Sequence, residues 1–531
     1  MEGAAQAFVT QSAMIQALLA VMRGQAGSTR VRLLETHISW VILAGHYAYK
    51  VKKGVNLGFL NFTSLEQRQY YCAEEIRLNR RLAPKIYLDV MPIGGNQTTP
   101  LLGALPAIEY AVRMRRFAVS KQFDRLLTSN RLLPQHIDSL ATTISSFHCS
   151  LPAADKNSSF GMAEGIRRDA EQNFGLLMPL LKDEKDMARM TELRIASDQA
   201  FSACSDLFGQ RRLQGFVREC HGDLHLGNIV WMDGQAVPFD GIEFSAELRW
   251  IDVMNEVAFT VMDLLHYQRA ALAYRFLDAY LQASGDYSGI RVLRFYLAYR
   301  AMVRAKVSAI RAEQPEQSNK ASAASWAVCR GYMELAGLCL AQKRPALIIT
   351  CGLPGSGKTT FSKIALERLG AIRLRSDVER KRMFGLSPLA DSRASIGVDL
   401  YSEEITRRTY ARLLELARML LLEGYAVIVD AAFPRLEERE LFHRLAAEQR
   451  VKFVIAAIEA STESLKARIM QRHRAADDAS EADVEVLEKF LLTRQALTTA
   501  EYRHTVTFLN ESAGIAANAG AWDSLDCLLK D

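Results

Sequence analysis

No run of about 18 uninterrupted apolar residues occurs in the chain, so the sequence gives no sign of a transmembrane helix. The eight cysteines, at positions 72, 149, 204, 220, 329, 339, 351 and 527, form no C-x-x-C pair and keep no regular spacing. That usage fits the reduced thiols of a cytoplasmic protein. A positive n-region is also missing: Met1-Glu2-Gly3 precedes an apolar stretch broken by Gln6, Thr10, Gln11, Ser12 and Gln16, which reads as an amphipathic helix of a soluble protein rather than a signal peptide. A dominant charge is lacking too, since 66 basic and 60 acidic residues leave a net +6, and the pI of about 8.8 falls short of a strongly basic nucleic-acid binder. No internal repeat or low-complexity block is evident. What remains is the composition of ordinary globular domains, 49% apolar and 24% charged. The length of 531 residues exceeds one core and suits two large domains or three to four smaller units.

Two phosphate-handling motifs of unrelated design stand out. The first is His221-Gly222-Asp223-Leu224-His225-Leu226-Gly227-Asn228, with Asp240 after a hairpin pattern whose turn is Asp233-Gly234. A carboxylate and an amide five residues apart in a loop, with a second carboxylate beyond a hairpin, suit phosphoryl transfer, which needs positioning and charge neutralisation more than covalent chemistry. Asp223 is then the expected proton acceptor, and Asn228 and Asp240 the expected Mg²⁺ ligands. A zinc pair at His221 and His225 is opposed by Gly222 and Gly227, which disfavour the helix such a pair needs. Upstream, residues 36–53 read as a β-hairpin, Ser64 to Leu82 as a helix and Pro106 to Met114 as a strand, together a small β-rich lobe. Beyond Phe117 the spacing is mostly helical to Leu340.

The second motif is Gly352-Leu353-Pro354-Gly355-Ser356-Gly357-Lys358-Thr359, followed by Thr360, which fits G-x-x-x-x-G-K-[ST] at every fixed position. It lies between an expected buried strand, Ala346 to Cys351, and a helix, Lys358 to Leu369. Backbone N–H groups of such a loop cradle phosphates, the lysine reaches the β- and γ-oxygens and the threonine binds Mg²⁺. Strands and helices then alternate through Leu509, the pattern of a parallel sheet covered on both faces. Asp377 follows the next expected strand and Arg380 comes three residues later. A carboxylate there faces the ligand crevice of an open α/β sheet and can serve as general base, or else as a helix N-cap. Asp430 ends a further strand as a candidate metal ligand. Arg468 and Arg472, at i, i+4 spacing before the polar stretch from His473 to Glu481, could form a cationic lid or an exposed charged face.

The residues from His221 to Asn228, with Asp240-Gly241-Ile242-Glu243-Phe244, resemble the catalytic loop and metal-binding segment of aminoglycoside phosphotransferase and choline-kinase-like enzymes, which share the protein-kinase fold. The resemblance covers roughly residues 30 to 340. It implies Lys50 as the lysine holding the α- and β-phosphates, Glu75 as its partner, and Met114 at the start of the adenine-contacting hinge, with Lys52 and Glu74 as alternatives. A G-x-G-x-x-G loop is absent, so His37 to Trp40 is the segment expected to cover the phosphates. The second half is similar to a P-loop kinase group containing polynucleotide kinases, chloramphenicol phosphotransferase-like proteins and zeta-toxin-like enzymes. There Asp377 matches the base, Arg380 a substrate-binding arginine, and Arg468 and Arg472 the lid arginines. The whole chain resembles bacterial fusions of an aminoglycoside phosphotransferase-like domain with an ATP-binding P-loop domain.

The expected architecture is therefore mixed α/β and α+β. A bilobal kinase-like domain over 1–342, with an N-lobe at about 30–115 and a helical C-lobe at 116–342, precedes a three-layer α/β/α P-loop domain over 345–531, the boundary falling at Gln342-Lys343-Arg344-Pro345. The expected cofactors are ATP, with GTP as an open alternative, and Mg²⁺. The expected acceptors are small hydroxyl compounds, a nucleic-acid 5′ end being a narrower option, with no membrane partner. One catalytic domain joined to a nucleotide-binding regulatory module is the competing arrangement.

Overall fold

The computed structural model describes residues 2–25, 31–56, 58, 60–314, 318–341, 343–388, 390, 402–475, 483–511 and 514–530, with side chains for all of these except 2–8, 25 and 472–475. The chain falls into two compact units, one of Met1–Asp169 with Phe208–Asp263, the other of Ala170–Leu207 with Leu264–Asp531. No helix among the described residues is long and apolar enough to cross a membrane.

The first unit opens with helix α1 (Glu2–Gln25). Its Met14, Ile15, Leu18, Leu19 and Met22 recur at helical spacing, and this apolar stripe is buried against Trp40, Ile42, Val51 and Ala111 of a sheet. That sheet has the order β1 (Arg32–Glu35), β2 (Ser39–Ala44), β3 (Tyr47–Lys52), β6 (Glu109–Arg115), β4 (Tyr87–Gly95), β5 (Pro100–Leu102), paired antiparallel throughout. The hairpin read from residues 36–53 is β2 and β3, turning at Gly45 and His46. Side chains alternate across the sheet, so Ala111 faces α1 while Val112 joins Cys72 and Ile76 of α2 (Leu65–Asn79) in a second cluster. A capping box starts α2: Ser64 Oγ accepts from the Gln67 N–H and Gln67 Oε1 from the Ser64 N–H, each at 3.2 Å.

Helices α3 (Phe123–Thr128), α4 (Pro134–Ser150), α5 (Ala163–Leu177) and α6 (Glu184–Leu213) follow in the chain. Two small antiparallel pairs come next, β7 (Val217–Glu219) with β10 (Trp250–Asp252) and β8 (Ile229–Met232) with β9 (Gln235–Pro238). Asp233 and Gly234 join β8 to β9 at φ of 52° and 75°, the left-handed pair a two-residue hairpin turn needs. Helix α7 (Val253–His266) follows β10 directly.

In the second unit, α8 (Ala270–Ser284), α9 (Ile290–Ala312) and α10 (Asn319–Ala341) precede a parallel sheet of order β12 (Ile372–Arg375), β13 (Ala426–Asp430), β11 (Ala346–Cys351), β14 (Lys452–Glu459), β15 (Thr505–Leu509). Its helices are α11 (Lys358–Leu369), α12 (Ser376–Arg382), α13 (Glu403–Leu422), α14 (Leu436–Gln449), α15 (Thr462–Ala475), α16 (Val484–Thr493) and α17 (Ala519–Lys530). Ile348, Ile428, Val454 and Ala456 form a core with Phe361 and Ala365 of α11 and Trp522 and Leu525 of α17. Within it the Trp522 and Phe361 rings stack, 5.3 Å between centroids and 11° between planes.

The compact units do not divide at Gln342–Pro345. The helices from Leu264 to Ala341 belong with the parallel sheet because α8 packs directly on it. Tyr274 lies against the same core as Phe361, and Arg275 pairs with Glu367 of α11 at 2.9 Å.

Candidate active sites

In the first unit, the loop from His221 to Asn228 leaves β7 through Gly222, whose φ of 86° is left-handed and whose added Cβ would lie 2.9 Å from the Leu248 carbonyl oxygen. Helix α7 holds this loop at three points along one face. Glu256 Oε1 accepts from the Gly222 N–H at 2.7 Å, Thr260 Oγ1 donates to the Leu224 carbonyl at 2.8 Å, and Asp263 Oδ2 accepts from the Leu226 N–H at 2.9 Å. Residues four and three apart share a helix face, so 256, 260 and 263 reach consecutive parts of one loop. His148 Nε2 lies 2.8 Å from the other oxygen of Glu256. Sequence reading did not single out these anchors. The available signal is three polar residues at i, i+4 and i+7 in a mostly apolar helix.

Asp223 and Asn228 meet: Asn228 Nδ2 donates to both the carbonyl oxygen and Oδ2 of Asp223 at 3.0 Å, and Asn228 Oδ1 takes no part in these bonds. His225 Nε2 lies 3.6 Å from Asp223 Oδ2. His221 ties this loop to the Asp240 segment, its Nδ1 accepting from the Asp223 N–H at 3.3 Å and its Nε2 donating to the Phe239 carbonyl at 2.9 Å. The ring is therefore neutral, and burial pushes its pKa below the ordinary histidine value. A metal role for the two histidines finds no support in these bonds.

Asp240 has a left-handed φ of 62°, and its N–H donates to the Tyr87 hydroxyl at 3.0 Å. Lys50 Nζ bonds Asp240 Oδ1 at 2.6 Å and Glu75 Oε1 at 2.9 Å. Burial opposes the Lys50 charge, but Asp240 and Glu75 outweigh it and hold the ammonium pKa well above the ordinary lysine value. Glu75 is fully buried, yet Lys50 and Lys52 keep its carboxyl below the usual range. The alternatives separate here. Lys52, at 1% exposure, bridges Glu75 Oε2 at 2.6 Å and Glu243, closed inside the lobe, while Glu74 pairs with Arg77 at 2.9 Å. Lys50 is thus the lysine in contact with Asp240. Met114, next to last in β6, shares an apolar cluster with Phe117, Met232 and Phe239, the two phenylalanine rings 4.8 Å apart.

In the second unit, Gly352 to Gly357 link β11 to α11. Gly355 and Gly357 have φ of 82° and 101°, a Cβ on Gly357 would collide with the Asn510 amide, and one on Gly352 would lie 2.6 Å from the Ile458 carbonyl oxygen. The loop is therefore a bare backbone cradle. Ser356 is 1% exposed and its Oγ has no hydrogen-bond partner. Lys358 Nζ donates to the Gly352 and Leu353 carbonyls at 3.0 and 2.9 Å. A cavity of about 240 Å³ opens beside the loop, lined by Lys358, Thr359 and Thr360, by Asp377 and Arg380, and by Asp430 and Arg468. Pro434, Tyr410, Val486 and Phe490 also line it, none of them expected from the sequence.

Asp377 and Arg380 form an ion pair at 2.8 Å. Asp377 is not a helix cap: Arg375 is the N-cap of α12, and Asp377 sits inside its first turn. Asp430, the last residue of β13, accepts from Ser362 Oγ at 2.8 Å. Arg468 donates to the Asn510 carbonyl at 2.7 Å. Arg472 shares α15 with it, but the Arg472 side chain and residues 476–481 of the expected lid lie outside the described part.

The donor sets fit a metal-nucleotide. Hard oxygens are the ligand type Mg²⁺ prefers: the first unit offers those of Asp240, beside Lys50, and of Asn228, beside Asp223, and the second those of Thr359 and Asp430 beside a cradle with an orphaned buried hydroxyl. The chain thus carries one such donor set on the unit of the six-stranded antiparallel sheet and the other on the unit of the five-stranded parallel sheet.

Residues 347–497 match the family described as AAA domain. Uncharacterized proteins of Mycobacterium tuberculosis and Mycobacterium bovis are each 30% identical over 452 residues, covering 84% of this chain and 87% of theirs. Among solved structures, a choline/ethanolamine kinase family protein from Mesorhizobium loti shares 13% identity over 62% of this chain and 97% of its own, with a TM-score of 0.38. The APS kinase of Mycobacterium tuberculosis shares 19% over 36% of this chain and 100% of its own, with a TM-score of 0.26.

Proposed function

The chain belongs to the same family as these uncharacterized mycobacterial proteins, and from its own two sites we propose that it is a two-centre ATP-dependent phosphotransferase of the cytoplasm. Each centre moves the γ-phosphoryl group of ATP to a hydroxyl of a small acceptor. The observation that carries this reading is that, in both units, a carboxylate suited to accept a proton lies with oxygen donors for a metal and a lysine for phosphate. The AAA-domain match over the P-loop supports ATP as the donor.

In the first centre Asp223 takes the proton of the acceptor hydroxyl as its oxygen bonds to the γ-phosphorus and the bond to ADP breaks. Asn228 orients Asp223 through Nδ2, and Lys50, held by Glu75, binds phosphate oxygens. The cluster of Met114, Phe117, Met232 and Phe239 takes the adenine. In the second centre Gly352, Gly355, Ser356, Gly357, Thr360 and Lys358 hold the phosphates, Asp377 accepts the proton, and Arg380, Arg468 and Arg472 bind the acceptor and the transferring group. Asn228 with Asp240, and Thr359 with Asp430, would hold Mg²⁺. When bound, that ion would supply neutralisation of the phosphate charge.

The test uses the full chain as wild type, Asp223→Asn and Lys358→Ala. A non-hydrolysable ATP analogue should bind at two sites per chain, falling to one in Lys358→Ala. Transfer from γ-labelled ATP to a panel of hydroxyl compounds and a 5′-hydroxyl oligonucleotide should divide into two sets. One set loses about 10²–10⁴-fold in Asp223→Asn, as for loss of a general base, and the other is lost in Lys358→Ala. Loss of every transfer in Asp223→Asn alone would make the P-loop centre regulatory, and a labelled oligonucleotide would move the acceptor class to nucleic-acid ends.

A further inference from the structure

Asp430 is set in a chain of buried charges that reaches from the sheet to helix α8. Arg373 of β12 is 3% exposed, and its guanidinium makes a two-pronged pair with Asp278 of α8, Nε to Oδ1 at 3.1 Å and a terminal nitrogen to Oδ2 at 2.6 Å. The other terminal nitrogen donates to Ser362 Oγ at 3.2 Å and lies 3.9 Å from Asp430 Oδ2. Ser362 Oγ in turn donates to that same Asp430 oxygen at 2.8 Å. Gln282, one turn after Asp278, donates to both oxygens of Asp278 at 2.8 Å. None of these bonds uses Asp430 Oδ1, and Asp430 lines the cavity beside Thr359.

This arrangement decides which carboxylate balances the Arg373 charge. A guanidinium so deeply buried needs an anion, because a lone buried charge is costly. Two carboxylates stand within reach, and the shorter, two-pronged contact belongs to Asp278. While Asp278 holds Arg373, Asp430 Oδ2 stays 3.9 Å from both the Arg373 and the Arg375 guanidinium, and its other oxygen takes no part in these bonds. Without the Asp278 charge, Asp430 is the nearest anion, and the short move needed to pair with Arg373 would draw it from the cavity.

We propose that Asp278 is a positioning residue for the P-loop centre: by neutralising Arg373 it keeps Asp430 available as the carboxylate facing the metal-nucleotide. The inference rests on the P-loop reading above and goes beyond it, because it makes a residue of α8, outside the P-loop sequence, a determinant of that centre. Outer-sphere partners of metal-binding groups typically alter metal affinity by about 10–100-fold when removed.

The test is equilibrium binding of a non-hydrolysable ATP analogue to the full chain across a Mg²⁺ series and in EDTA, taking the component that Lys358→Ala removes. Asp278→Asn should raise the Mg²⁺ concentration for half-maximal binding by about tenfold while leaving binding in EDTA unchanged, and Asp278→Glu should stay within about twofold of wild type. The double variant Asp278→Asn with Arg373→Met, which removes both charges, should recover the wild-type Mg²⁺ dependence. An unchanged Mg²⁺ dependence in Asp278→Asn would overturn the proposal, as would a double variant no better than the single one. Equal losses with Mg²⁺ and in EDTA would also overturn it, by showing a merely structural role. If wild type itself shows no Mg²⁺-dependent binding sensitive to Lys358→Ala, the P-loop reading falls and this inference with it.

Discussion

His221 acts as a hydrogen-bonded bridge in the first centre. One ring nitrogen must accept from the Asp223 N–H while the other donates to the Phe239 carbonyl, so only the neutral ring satisfies both. Burial holds its folded pKa below the value of about 6.5 for an exposed histidine. The unfolded chain therefore takes up the proton first as pH falls. The stabilisation from this ring is complete above about pH 6.5 and is lost as pH drops through the folded pKa. His221→Asn should lower stability by about 1–3 kcal/mol near pH 7.5, since buried partners go unsatisfied. It should also flatten the decline in thermal midpoint between pH 7.5 and 5.5. Thermal denaturation at both pH values decides it, and equal declines in variant and wild type would remove His221 as the cause. At this scale the sequence was informative for residues close together in the chain: Asp223 with Asn228, and Lys358 with Thr359. It could not separate Lys50 from Lys52, because residues two apart in a strand share a face and both reach Glu75. The distinction lies in Glu243 and Asp240, nearly two hundred positions away.

Helix α7 shows what an element adds beyond its residues. Its periodic apolar positions explain why it is buried, but they leave Glu256, Thr260 and Asp263 on one face, and each bonds the backbone of the loop from His221 to Asn228. Thr260→Val keeps the side-chain shape and removes one donor, leaving the Leu224 carbonyl without its partner. The expected cost is about 1–3 kcal/mol in stability. Transfer by the first centre should fall roughly tenfold, the size of a 1.4 kcal/mol rise in barrier, with transfer by the P-loop centre unchanged. Thermal denaturation and the two transfer assays measure these, and an unaltered first centre would show the loop to be held without α7. Legibility at this scale followed local signals. The hairpin at Asp233-Gly234 and the alternation of strand and helix after Ala346 are written in turn chemistry and periodicity. Strands β1, β4 and β5 went unread, since their short or half-buried segments carry weak alternation and are defined by their pairing, β1 with β2, β4 with β6 and β5 with β4.

For the molecule as a whole, the proline-ended stretch at residues 342–345 marks a change of texture, from helices to alternating strands, rather than a change of compact unit. The sequence could not show this because the contacts responsible, such as Tyr274 on the core around Phe361 and Asp278 with Arg373, join positions about ninety apart. Five tryptophans are spread over the chain, Trp40, Trp231 and Trp250 in the first unit and Trp326 and Trp522 in the second. The stacked ring of Trp522 donates its indole N–H to the Ile515 carbonyl at 3.2 Å, and a Cβ on Gly357 of the phosphate loop would lie 3.1 Å from the Ile515 side chain. The protein thus carries an intrinsic fluorophore wired, through one isoleucine, to its own P-loop. Nucleotide filling that loop should change the emission of the wild type. The change should disappear in Trp522→Phe, and also in Lys358→Ala, where the fluorophore remains and the loop stays empty, so occupancy of one centre can be followed by light in the presence of the other.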